Sequence, residues 1–484
     1  MEEGLSESDM LDGCSYGVHR AINELASIFS CQWSNGMLPQ IRFMSGQHGY
    51  RPDADDWGVP PEVSGPTRYR TSGITQPPII GLCAREVFLK IGPDAQRAHF
   101  ADFVGFSAAL EKYHHWLLSE RDPWHEGLLV CLHPWETGTD NSPAFDSLIE
   151  ATRSYIEASS LPVDAFGRAD TAHVSPDHRP TERDYHAYFG LVALFKKHGY
   201  GQAPIIAETP FLLQDVLFNS LFVASLYSLA QLQDALSEMS DADMVDMLRE
   251  RAAQNRRRAG LVASAIRRKL WHPDDRFFYS YDQRGGGLLE VRTVSGLIPL
   301  VDGIADAEQA GQLAASLLDS AKFWTRWPIP STAQSSPAFN PVRYWSGPSW
   351  PVTNWLVLRG LQEREMAQAE ELRERTLRMI AEGADYEQVR EAAMRVMQRN
   401  SFGEELTTPS TRQYQHGWLW DSAIVAASWP LVDAQPEQLA DREGDPGFWE
   451  YYEPSTGRPL GAPRMTWTAS LFLELLNMDQ ANKL

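Results

Sequence analysis

Two stretches of the sequence set carboxylates among aromatic and small polar residues. The first, PWETGTDNSPAFD at 134–146, holds Glu136, Asp140 and Asp146; the second, GFWEYYEPSTGRPLG at 447–461, holds Glu450 and Glu453. Hydrolysis of an acetal needs two carboxyl functions, one protonated to assist the leaving oxygen and one ionised to activate water or attack carbon. In the first stretch Asp140 is the central candidate. Thr139 and Asn141 can hold a polar side chain in place, and Trp135 can form a wall beside it. The competing role is structural, with Asp140 or a neighbour capping a helix that begins near Pro143. The second stretch reads equally well as a solvated loop before an apolar helix, and spacing alone does not bring the two acids together.

The elements that would carry these loops are helices. Apolar stripes at helical period run through 15–29, 98–118, 214–236, 244–271, 310–319, 350–361, 367–383 and 466–478. Alternating strands are few, and 276–292 is the best hairpin, with RGGG as its turn. Long polar segments rich in Pro, Gly and Trp separate the helices at 33–80, 132–145, 158–182, 321–349 and 446–465. Loops of that length are uncommon unless they carry function. Helix and long loop in alternation, without an evident linker, suit an all-α chain folded as one helical toroid over 1–484, its loops converging on one face, with two stacked helical domains as the alternative.

Composition narrows the function. The chain of 484 residues has a formal charge of −21 and no Lys/Arg block large enough to offset it, which argues against nucleic acid. Sixteen Trp and sixteen Tyr suit surfaces that stack on sugar rings. The four cysteines, Cys14, Cys31, Cys83 and Cys131, lack metal spacing and read as reduced buried thiols. His133 and the His114–His115 pair have no acidic or Cys partner at metal spacing. No leader and no run of 18 apolar residues is visible, so a cytoplasmic protein away from the membrane is expected. Self-association stays open.

Ordered motifs along most of the chain then point to a family. QWSNGMLPQIRF (32–43), TSGITQPP (71–78), PWETGTDNSPAFD, QDVLFN (214–219), FYSYD (278–282), YWSGPSWPVTNW (344–355), EYYEPSTG (450–457) and MTWTASLFLELL (465–476) together resemble the (α/α)6 hydrolases of glycoside hydrolase family 63. The resemblance is greatest to their glucosylglycerate and mannosylglycerate hydrolase branch. It implies an inverting hydrolase with Asp140 as general acid and Glu450, ahead of Glu453, as general base. Inversion requires room for a water between the two carboxyls, roughly 6.5–9.5 Å. Asp140 must bind substrate protonated, so an apolar wall such as Trp135 should raise its pKa. No metal or organic cofactor is required.

The same resemblance suggests the partners of a small glycoside. Trp33, Asn35, Gln214, Asp215, Trp345 and Trp350 are candidates for sugar contacts, although Asn35 could make a turn and Asp215 could cap a helix. A charged aglycone such as glycerate needs a cation or donor cluster. Arg68, Tyr69, Arg70 and Gln76 offer one, with Arg51 nearby, and ordinary surface pairing of these arginines with neighbouring acids is an equal alternative. One feature departs from the family: the stretch like 413–430, which there forms the first inner helix, here lies late in the chain. Residues 384–446 therefore read as a relocated or inserted segment. If it fills the place of the first helices, Trp418, Trp420 and Asp421 still reach the pocket. The expected reaction is hydrolysis of glucosylglycerate to glucose and glycerate. The alternatives are mannosylglycerate, a neutral disaccharide, or an inactive carbohydrate-binding relative.

Overall fold

The computed structural model describes residues 16–43, 51–65, 69–159, 174–400, 416–432, 447–463 and 465–481, together with 161, 163, 168, 170 and 171. The longer helices are α1 (Tyr16–Phe29), α2 (Ile80–Lys90), α3 (Phe100–Glu120), α4 (Asp146–Ser159), α5 (Glu182–Lys197), α6 (Val216–Ser237) and α7 (Ala242–Lys269). They continue as α8 (Ala307–Leu317), α9 (Pro351–Glu363), α10 (Gln368–Ala381), α11 (Tyr386–Asn400), α12 (Leu419–Ser428) and α13 (Thr466–Ala481).

Six elements pack side by side into a closed inner ring: α2, α6, the 3-10 segment Val294–Gly303, α9, α13 and α12, which returns to α2. Their sequences explain the position. Helix α6 is apolar on all sides, and α12 reads LWDSAIVAAS with nine of its ten residues buried. Helix α6 is long and apolar enough to cross a membrane, but 89% of its apolar window is buried in this ring. Amphipathic helices lie outside: α1 on α12, α3 and α7 on α6, α8 on Val294–Gly303, α10 on α9, and α11 on α13. This is an (α/α)6 toroid. Ring order differs from chain order at one place, because α12 precedes α13 in sequence yet stands between α13 and α2. Of segment 384–446, residues 384–400 and 416–432 are described, and the latter close the ring.

The β structure is minor. Strand Ile41–Phe43 pairs antiparallel with Arg70–Thr71 and with His416–Trp418, tying α12 to the loops at its start. The expected hairpin is shorter than 276–292. Only Tyr281–Asp282 and Gly287–Leu288 pair across the glycine turn, while Phe277–Phe278 pairs with Trp271–His272. Helices α2, α4, α5, α11 and α12 lie outside the expected stripes; α2 and α12 are short and mostly buried and so lack a clean polar face.

Candidate active site

The acid turn is built by its own backbone. His133 accepts from the Trp135 amide, Pro134–Thr137 form a 3-10 turn, and Gly138 takes a left-handed φ of 74°. Thr137 Oγ1 accepts from the Thr139 amide at 3.0 Å, and the Ser142 amide donates to the Thr139 carbonyl at 2.8 Å. A Cβ on Gly138 would stand 2.5 Å from the Trp420 ring, so the acid turn fits against α12 only with glycine there. Glu136 is spent on the scaffold, paired with Arg121 at zero exposure of both side chains.

Asp140 is half-buried, and its turn carries an aromatic cluster. Trp135 packs with His133, Tyr188 and Phe189, and Tyr188 donates its hydroxyl to the Asp140 carbonyl at 3.1 Å. Burial pushes the Asp140 carboxyl up to about 7; the negative charge of Glu450 adds to the rise and Arg179 opposes it. Asp421, in the first turn of α12, is also raised to about 7, by burial and then by Glu450. These are the carboxyls that the fold brings together.

Glu450 is 5% exposed and tightly held. Arg179 grips it with two parallel bonds, Nη1 to Oε1 at 3.0 Å and Nη2 to Oε2 at 2.7 Å, and the Ala462 amide donates to Oε2 at 3.0 Å. Gly461 makes this approach possible: its φ is 76°, and a Cβ there would lie 2.6 Å from Glu450 Oε2. Glu453 is committed to its own turn, accepting from Ser455 and from Thr456 Oγ1. Arg179 itself lies over the Tyr344 ring at 5.1 Å from its centroid.

A third loop, 340–350, stitches the other two. Asn141 accepts from the Trp345 amide at 2.9 Å, while Ser349 and Tyr452 exchange backbone bonds of 2.8 and 2.9 Å. Trp345 and Trp350 stack face to face, 3.8 Å between centroids and 3° from parallel. Trp350, 1% exposed, backs Trp345 and touches Tyr451. Gln76 joins from the 71–78 loop, its side-chain carbonyl accepting from the Trp420 amide at 3.1 Å.

Several expected contacts fall elsewhere. Asp215 is fully buried and caps α6, accepting from the Phe218 amide and from Ser280 Oγ, each at 2.8 Å. Gln214, equally buried, donates to Glu126 and the Leu128 carbonyl. Both stand as scaffold residues where the helix starts, Asp215 through its cap and Gln214 through its side-chain amide nitrogen. Asn35 is exposed and closes a turn onto the Met37 amide, and Trp33 is packed with its indole N–H on Thr71. The arginine cluster disperses into surface pairs, Arg70 with Asp55 and Arg51 with Asp56, and Tyr69 lies under Arg42. Arg68 and the side chain of Trp418 lie outside the described residues. The buried cation of the site is Arg179, which sequence reasoning missed. Its only signal was an arginine next to Pro180 at the end of the long 158–182 loop.

Among the described residues no group of three or more His, Cys, Asp or Glu could hold a metal ion, and the described cysteines Cys31, Cys83 and Cys131 are free and buried. Residues 9–417 match the family described as the mannosylglycerate hydrolase MGH1-like glycoside hydrolase domain. The chain belongs to this family and is a glycoside hydrolase. It is 34% identical over 465 residues to a mannosylglycerate hydrolase of Rubrobacter radiotolerans, covering 95% of this chain and 87% of that one. A glucosylglycerate hydrolase of Mycolicibacterium hassiacum is 27% identical over 474 residues, covering 95% and 87%. The crystal structure of the family 63 mannosylglycerate hydrolase of Thermus thermophilus in complex with Tris and D-glycerate superposes with a TM-score of 0.65 at 28% identity, covering 95% of this chain and 92% of that one.

Proposed function

We propose that this hydrolase cleaves an α-glycoside of glycerate with inversion, with Asp140 as general acid and Glu450 as general base. The observation that carries the reading is the contrast inside one aromatic recess. Asp140 is raised to about 7, whereas the neighbouring Glu450 is engaged as an ion pair with Arg179. Carboxyls with environments that differ in this way divide acid and base work. Asp140 gives its proton to the leaving oxygen while Glu450 takes one from the attacking water. Trp345, Tyr344, Trp420 and Asp421 border the sugar, and Gln76 fixes the start of α12 beside them. Arg179 replaces Arg68 and Arg70 as the cation for the aglycone carboxylate, since a guanidinium fork fits two carboxylate oxygens.

The sugar is proposed as mannose. Sequence reading puts glucosylglycerate first, but the relatives favour the mannosyl alternative: 34% identity to a mannosylglycerate hydrolase against 27% to a glucosylglycerate hydrolase. The test is incubation with mannosylglycerate, glucosylglycerate, trehalose and maltose, with the released anomer followed by NMR. β-Mannose appearing first from mannosylglycerate is the expected result. Turnover of the disaccharides alone would remove the glycerate reading, and an α-anomer formed first would remove inversion.

A further inference from the structure

In the free enzyme both oxygens of the proposed base are already taken. Arg179 Nη1 and Nη2 donate to Oε1 and Oε2 at 3.0 and 2.7 Å, and the Ala462 amide donates to Oε2 at 3.0 Å. The pair is enclosed, its side chains 12% and 7% exposed. Arg179 Nε is buried and has no partner among the described residues. With three donors on its two oxygens, the Glu450 carboxylate has little acceptor capacity left to orient an attacking water. Drawing the two apart without replacement would strand a buried cation. A neutral glycoside offers nothing to offset that cost. A carboxylate-bearing aglycone does, because it presents the same planar pair of oxygens that Glu450 presents.

We infer that the aglycone carboxylate displaces Glu450 from Arg179, so that the substrate itself releases the general base. The exchange keeps one ion pair on Arg179 and leaves Glu450 supported by the Ala462 amide and free to orient water. The water oxygen then bonds to the anomeric carbon and one of its protons passes to Glu450. The electrons of the broken carbon–oxygen bond leave with the aglycone oxygen, which takes the Asp140 proton. Sugar and hydroxy acid are the balanced products. The inference rests on the reading of an anionic glycoside substrate and deepens it: selectivity arises at the base as well as in binding, since a neutral glycoside meets a base still in its clasp.

α-Mannosyl fluoride and α-glucosyl fluoride test this, because fluoride leaves without the Asp140 proton and the aglycone side of the recess stays empty. Fluoride release is measured with increasing free glycerate, alongside hydrolysis of mannosylglycerate and glucosylglycerate by the same preparation. The expected result is saturable, several-fold acceleration of fluoride release by glycerate in the wild type. Arg179→Gln should lose that response, and Arg179→Lys, which keeps a charge without the fork, should respond weakly. Glycerate that only inhibits at every concentration overturns the inference, as does stimulation that persists in Arg179→Gln. If neither variant folds, the wild-type titration decides alone. Hydrolysis of a glycerate glycoside together with pure inhibition by glycerate leaves the substrate reading standing and removes the gate. Stimulation without hydrolysis of either glycoside does the reverse.

Discussion

Two buried arginine–glutamate pairs stand in this fold, and they differ in what surrounds them. Arg121 and Glu136 are both at zero exposure. Glu136 also accepts from the Leu132 and Thr75 amides, and Arg121 spends its remaining donors on Gln202 and the Val130 carbonyl. Every nitrogen and oxygen of that pair's charged groups has a partner, and its effect is to clamp the acid turn to α3 and to the 71–78 loop. Arg179 and Glu450 have the same two-pronged geometry, but Arg179 Nε has no partner among the described residues and one amide supports the carboxylate. The same chemistry is a fixture where its partners saturate it and a working part where they do not.

The largest effect bearing on this contrast is catalytic. Asp140→Asn and Glu450→Gln should each lower turnover by about 10²–10⁴-fold or more while circular dichroism stays native-like. Retained rates in both would remove the site assignment. Next comes the fixture. Glu136→Gln should destabilise by about 3–5 kcal/mol, the range for breaking a buried pair, with a smaller loss for Glu450→Gln. Denaturant unfolding of the two variants compares them directly, and equal losses would erase the distinction. Gly461→Ala should displace the base, because both its left-handed φ and the 2.6 Å approach exclude a Cβ. A drop in kcat larger than any change in KM is the expected signature.

The pH dependence is a finer probe. Asp140 works when protonated, so kcat/KM should be full below its pKa and fall as pH rises through about 7. Asp140 and Asp421 are both raised above their ordinary 3.8, so the folded chain holds protons that the unfolded chain releases between 3.8 and about 7. Their contribution to stability is therefore present at low pH and lost as pH rises across that window. Asp421→Asn should flatten this slope in melting curves at several pH values. An unchanged slope would mean that Asp421 does not titrate there. This is the smallest of the expected effects.

Much of the site was legible because its chemistry is local. GTDNSP and EYYEPSTG carry the proposed acid and the proposed base together with their turn residues, and YWSGPSW carries the bridging aromatic loop. Gln214 and Asp215 misled for the opposite reason. A carboxylate before an apolar helix looks alike whether it caps or binds, and only the Phe218 amide and Ser280 hydroxyl in place decide for the cap. The arginines stayed undecided between ligand and surface pairing because charge in a sequence carries no address. Arg70 meets Asp55 on the surface, whereas Arg179, without any motif, swings under Glu450 across 271 residues of chain.

Residue type and local spacing were enough to give the helical period, the loop lengths and two candidate carboxylate loops, and the ordered motifs gave the family by resemblance. Contacts between distant segments settled the rest: that α12 closes the ring between α13 and α2, that Trp420 seats on Gly138, and that Arg179 holds Glu450. Burial and charge proximity, which raise Asp140 toward neutrality, exist only once those segments have met.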